Sequence, residues 1–97
     1  MIRHCVTFRF VDGATDEAIA AFEAGLSALP AAIDDIKGYW YGRDLGLRDT
    51  NADFAVIADF ADEAGYRTYA GHTAHRAVIR DLADPIVAER NAVQFSW

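Results

Sequence analysis

The sequence predicts an α+β domain built on an antiparallel sheet. Three observations carry this reading. Three stretches alternate with the two-residue period of a strand, helical spacing appears between them, and the elements follow one another as β-α-β-β-α-α-β. The first stretch, Ile2 to Val11, puts Ile2, His4, Val6, Phe8 and Phe10 on one face and Arg3, Cys5, Thr7, Arg9 and Val11 on the other. Asp12 and Gly13 interrupt it. Thr15 and Asp16 are cap candidates for a helix in which Ile19, Phe22, Leu26 and Leu29 recur on one side. Pro30 is expected to end that helix, because a proline disfavours helical geometry in the residue before it. Ile36 to Leu45 reads as a second strand, rich in aromatics and weakened by Gly38 and Gly42, which suggest a twist, a bulge or a close backbone approach. Gly46 to Asp53 is a polar turn. Phe54 to Phe60 is a third strand, with Phe54, Val56, Ala58 and Phe60 on one face. Asp62 can cap a short helix through Tyr69. Thr73 to about Asp84 reads as another helix, with His75, Val78, Ile79 and Leu82 on one side. Asn91 to Trp97 alternates as the last strand.

This order fits the ferredoxin-like plan, in which one sheet face carries the helices and the other is left open. Cys5, Thr7, Tyr39, Ile57 and Gln94 read as members of the open face. Several are too apolar for water, and exposed apolar sheet area marks a partner surface. A homodimer pairing two such sheets face to face would cover it. The aromatics Phe8, Phe10, Phe22, Trp40, Phe54, Phe60, Phe95 and Trp97 are expected mostly in the core.

Composition narrows the function classes. The 97 residues suit one domain, 1–97, and 53% apolar with 25% charged residues is the make-up of a folded chain. A net charge of −6 lacks the basic footprint that nucleic-acid backbones require, and it disfavours anionic membranes. No apolar run approaches the ~18 residues of a membrane span, and no secretory leader is expected. Cys5 is the only cysteine, so no internal disulfide can form, which fits a reducing cytoplasm.

The chemistry-bearing residues cluster around Gly71-His72-Thr73-Ala74-His75-Arg76. His75 falls on the apolar side of its helix. It reads either as a general acid/base, since imidazole titrates near ~6.5, or as a buried histidine satisfied by its neighbours. Tyr69 can polarise a carbonyl as charge builds on oxygen, or serve as an amphipathic core residue. His4, among Ile2, Val6 and Phe8, reads as pocket lining or as a catalytic partner. His72 reads as a donor to the carbonyls at a helix end. A metal held by His72 and His75 would lack a third ligand, where zinc sites use three or four, so no metal or cofactor is expected. Val6, Phe8, Phe22, Leu26, Val78 and Ile86 are the residues expected to line a cavity for a small apolar ligand.

Ile2 to Phe10, the run from Phe60 through Tyr69, His72 and His75, and the closing Val93 to Trp97 together resemble the stress-responsive α/β-barrel (Dabb) family along nearly the whole chain. The resemblance implies a ferredoxin-like protomer, a dimeric β-barrel and a cavity between sheet and helices. Plant members include polyketide cyclases of the olivetolic acid cyclase type, which close a linear polyketide by aldol condensation without a cofactor. Their tyrosine and histidine pair matches Tyr69 and His75, and their first-strand histidine matches His4. This chain departs from the family at Thr73, where proline is usual. It departs from the cyclases at Phe54, where they carry a further histidine. The resemblance thus implies cofactor-free acid/base chemistry on a carbonyl compound. The rival readings are a non-catalytic, stress-associated structural homo-oligomer and a cofactor-free monooxygenase of the related dimeric-barrel group.

Overall fold

The computed structural model describes residues 1–97. In chain order the elements are β1 (Ile2–Phe10), α1 (Asp16–Ser27), α2 (Leu29–Ala32), β2 (Ile36–Arg43), β3 (Phe54–Phe60), α3 (Glu63–Gly71), α4 (Thr73–Val78), a π-helical turn (Ile79–Ala83) and β4 (Val87–Ser96). The strands form one antiparallel sheet in the order β2-β3-β1-β4, which is the ferredoxin-like α+β plan. β1 lies inside the sheet, pairing Ile2 with Phe60 on one side and with Ser96 on the other. The Trp97 amide donates to the Met1 carbonyl at 3.0 Å and extends the β1–β4 ladder.

The core lies between the sheet and the helices. Phe22, Leu26 and Leu29 pack on Phe8, Phe54, Val56 and Phe60. Phe8 meets Phe22 edge-on at 5.7 Å, and Phe54 lies 5.3 Å from Phe22, in the tilted and T-shaped arrangements that aromatic quadrupoles favour. α1 starts where Thr15 accepts from the Ala18 amide at 3.1 Å, and α3 where Asp62 accepts from the Gly65 amide at 2.9 Å. Gly25 lets the last helical segment approach α1. A Cβ there would meet Leu82 Cδ1 at 2.5 Å and the methyls of Val78 at 3.4 Å.

Several expectations need correction. Pro30 opens a helix rather than closing one: α1 ends at Ser27 and Pro30 lies in the first turn of α2, where its missing N–H has no bond to lose. The helix from Thr73 is not uniform. At Ile79 it widens into a π-turn, closed by the Asp84 amide donating to the Ile79 carbonyl at 2.8 Å. β4 begins at Val87, four residues before the alternation of its apolar residues reveals it.

Two side chains assigned to the open face lie on the helix side. Tyr39 does so because the β2–β3 register shifts between Ile36 and Gly38, and one extra residue, Lys37, inverts the alternation beyond it. Gln94 does so because it pairs with His4, which points its partner toward the helices. β4 therefore turns its apolar residues outward. Trp40 (53% exposed), Phe95 (49%) and Trp97 (60%), expected in the core, stand with Val93 (61%) on the surface. The open face carries Cys5, Thr7 and Ile57 as anticipated, together with Arg3 and Asp59. Arg3 donates from Nε and Nη2 to both oxygens of Asp59 at 2.8 Å, and its guanidinium lies 5.6 Å from the Trp40 ring and 4.8 Å from the Trp97 ring.

Candidate functional site

A cavity of about 280 Å³ opens between β1, β4, α1 and the α3–α4 region. Its floor is a ladder of helix-facing pairs. Phe8 stands opposite Arg90, Val6 opposite Ala92, and His4 opposite Gln94 at the end of the ladder. Phe22 and Leu26 from α1 and Val56 from β3 complete the apolar wall, and Tyr69, His75 and Ile79 close the third side. His4, Tyr69, His75, Val6, Phe8, Phe22 and Leu26 are thus brought together. Val78 and Ile86 are not. Val78 packs against α1 at Gly25, and Ile79, four residues after His75 on the same side of the helix, takes the wall position. Ile86 is buried in the core, with its amide donating to the Ala83 carbonyl and its carbonyl accepting from the Val11 amide. A larger open groove of about 790 Å³ runs along α4, lined by Arg76, Arg80 and Asp84 and sharing His75 and Ile79 with the cavity. The smaller cavity has the mostly apolar wall with a few polar groups that small-molecule sites share.

Apart from Arg90, the polar groups gather at one end. Tyr69, at the last turn of α3, and His75, on α4, bring their rings to 4.1 Å at a tilt of 38°. The Tyr69 hydroxyl shares a 2.9 Å hydrogen bond with the Tyr39 hydroxyl. Burial pushes the Tyr69 phenol up to about 12, the bond to Tyr39 restrains that rise, and Tyr66 adds to it. Tyr39 is also raised, by burial first and by the neighbouring phenols after that. Tyr69 is therefore a neutral phenol at physiological pH, able to donate.

Both cavity histidines are held below the ordinary imidazole value. For His4 the cause is burial. For His75 burial dominates, the Ala70 carbonyl opposes it, and the nearby His4 and His72 rings deepen the shift. Both rings are thus neutral at pH 7. Gln94 donates from Nε2 to His4 Nδ1 at 2.9 Å, which puts the His4 proton on Nε2. His75 Nδ1 is enclosed and has no hydrogen-bond partner. Such an atom is costly unless something supplies its partner.

His72 does something else. Its amide donates to the Tyr69 carbonyl and closes α3, while its Nδ1 accepts from the Ala74 amide at 3.0 Å and opens α4. It is an N-cap acceptor, not a donor to helix-end carbonyls. Thr73 occupies the first position of α4, where a proline would fit equally well. Phe54 is buried in the aromatic core, away from the cavity wall. The polar residues that sequence reasoning missed are Tyr39, Gln94 and Arg90; it also missed Val56, Ile79 and Ala92 in the apolar wall. The bulge at Lys37 and the β1–β4 register put the polar ones in place, and neither leaves a composition signal.

The family model described as Stress Responsive A/B Barrel Domain (Dabb) matches residues 2–97. Among solved structures, a dimeric ferredoxin-like protein of unknown function from Thermobifida fusca YX is 45% identical, with a TM-score of 0.92 over 99% of this chain and 90% of that one. A Dabb-family protein from Mesorhizobium loti is 24% identical, with a TM-score of 0.82 over 99% and 95% of the two chains. Hydroxynitrile lyase from Passiflora edulis is 17% identical, with a TM-score of 0.84 over 97% and 90%. Among curated proteins none matches.

Proposed function

The chain belongs to the stress-responsive A/B barrel family, and on that footing we propose that it is a one-domain homodimer that binds a small, largely apolar carbonyl compound in each protomer. We further infer cofactor-free acid/base chemistry on that compound. The observation that carries the reading is the pairing of two neutral histidines with a neutral, buried phenol at one end of a largely apolar cavity. His75 takes a proton from the carbon next to the carbonyl. Tyr69 donates to the oxygen as negative charge grows there, and Tyr39 holds the Tyr69 hydroxyl in place. His4, oriented by Gln94, presents Nε2–H to the ligand. The Passiflora edulis enzyme supports the idea that this fold can house an enzyme, and no more than that.

The dimer reading is supported by the exposed Trp40, Val93, Phe95 and Trp97 on the open sheet face and by the Thermobifida fusca relative, which is described as dimeric. The proposed setting is cytoplasmic, supported by a free Cys5. No helix is long and apolar enough to cross a membrane.

The test follows deuterium entering the carbon positions beside the carbonyl of 2-heptanone in D₂O, by proton NMR. The wild-type protein should exchange them faster than buffer. His75→Gln should lose about 10²–10⁴-fold of that rate, the usual scale for a general base, and Tyr69→Phe should lose a substantial part. Exchange no faster than buffer would sink the catalytic reading. An absence of ligand-induced shifts at cavity residues would sink the binding reading as well.

A further inference from the structure

At the other end of the same cavity stands a charge that the proposed chemistry does not use. Arg90 is the only ionised side chain among the residues that line it, and it stands opposite Phe8 on the helix-facing side of β4. Its guanidinium lies 5.9 Å from the Phe8 ring. It makes one side-chain hydrogen bond, from Nη2 to Asp84 Oδ1 at 2.7 Å. The guanidinium has five N–H donors in a planar fork suited to a carboxylate, so most of its donors are free. Both members of the pair are about half exposed, and an ion pair so open to water is weak enough to exchange partners. The surrounding protein is acidic, at −6 overall. An anion is therefore not drawn to this surface by the general field and must be held by a local group.

We propose that the cavity's ligand carries a carboxylate as well as a carbonyl, with Arg90 gripping the carboxylate while His75, Tyr69 and His4 face the carbonyl. This rests on the small-molecule reading above and narrows it to oxo acids with an apolar spacer. The spacing fits. From the His4 pair to the Phe8–Arg90 pair the floor runs four residues, or ~14 Å at ~3.4 Å per residue. The side chains that reach in from each end shorten this to the length of a short aliphatic chain. The apolar middle, Val6, Ala92, Phe22 and Leu26, suits methylene groups. Asp84 takes one of the Arg90 donors, and a ligand carboxylate competes with it for that donor.

Two probes of equal carbon count separate the terms. 2-Heptanone has the carbonyl and the apolar chain, and 6-oxoheptanoate adds a carboxylate at the far end. Affinities are measured by NMR titration for wild type, Arg90→Gln and Asp84→Asn. The wild type should bind the oxo acid at least tenfold tighter than the ketone. Arg90→Gln should erase that preference, so that the two probes bind this variant about equally. Asp84→Asn should tighten the oxo acid several-fold with no effect on the ketone, and this arm decides the matter if Arg90→Gln does not fold. A ketone that binds with no gain from the carboxylate, or an oxo acid indifferent to both substitutions, overturns the role of Arg90 and leaves the cavity reading standing. Failure of the wild type to bind either probe overturns both.

Discussion

His4 and His75 are held below the ordinary imidazole value by burial, and this makes a statement about stability as well as chemistry. In the unfolded chain each titrates near ~6.5. As pH falls through that value the unfolded chain takes up protons that the folded one refuses, so folding is favoured less. Stability is therefore full above pH ~6.5 and is lost below it. Denaturant midpoints should hold level from pH 8 to 7 and decline from about 6.5 to 5. His75→Gln should decline less, having one fewer such group. An equally steep decline in the variant would show that His75 does not titrate as a buried base. Asp59 does not confuse this window. Its hydrogen bonds from Arg3 hold it below the ordinary carboxylate value of 3.8, so its contribution fades only in stronger acid. His75, Tyr69 and His4 were legible in the sequence because their chemistry shows wherever they point. Tyr39, Gln94 and Arg90 were not. Each has an unremarkable neighbourhood in the chain, and the side it faces follows from one inserted residue in β2 and from which residue of β1 it pairs with.

At the scale of elements, α4 and its π-turn hold the site, yet α4 is only six residues long. A helix that short has little stability of its own, so its start matters. His72 supplies that start through Nδ1 to the Ala74 amide. Replacing it with alanine should cost about 1 kcal/mol, the usual loss for a side-chain cap, and His72→Asn should recover most of it. Urea unfolding of the three proteins at one concentration measures this. An alanine variant as stable as wild type would show that the cap is dispensable. The π-turn was invisible in advance because it does not alter the apolar spacing of Val78, Ile79 and Leu82. Ile79 follows His75 by four residues and lines the cavity with it, while Val78 and Leu82, also four apart, pack on Gly25. The end of α1 was misjudged for a related reason. Proline obstructs the turn before it and favours the turn that it begins, and the sequence does not say which of the two applies at Pro30.

For the whole molecule the fold class and the order of elements along the chain were readable, since alternation and helical spacing need no partner to be recognised. The outward face of β4 was less so, because apolar residues that seal against a second copy look the same in sequence as residues of a core. Trp40, Val93, Phe95 and Trp97 should be covered in solution. The wild type should have twice the 10.7 kDa chain mass by light scattering at micromolar concentration, and its thermal midpoint should rise with concentration. Val93→Glu should shift it toward the single-chain mass, and a wild type that is already a single chain would end the dimer reading. The inside position of β1 has a consequence in time. Its neighbours on both sides come from far along the chain, with Ile2 paired to Phe60 and to Ser96. Closing such long loops comes before any reward from pairing. On a ribosome, β1 emerges well before β4, so one of its edges stays unpaired until β4 has been made. The sheet is therefore completed late, and until β4 is made the bare edge of β1 needs shielding from other chains.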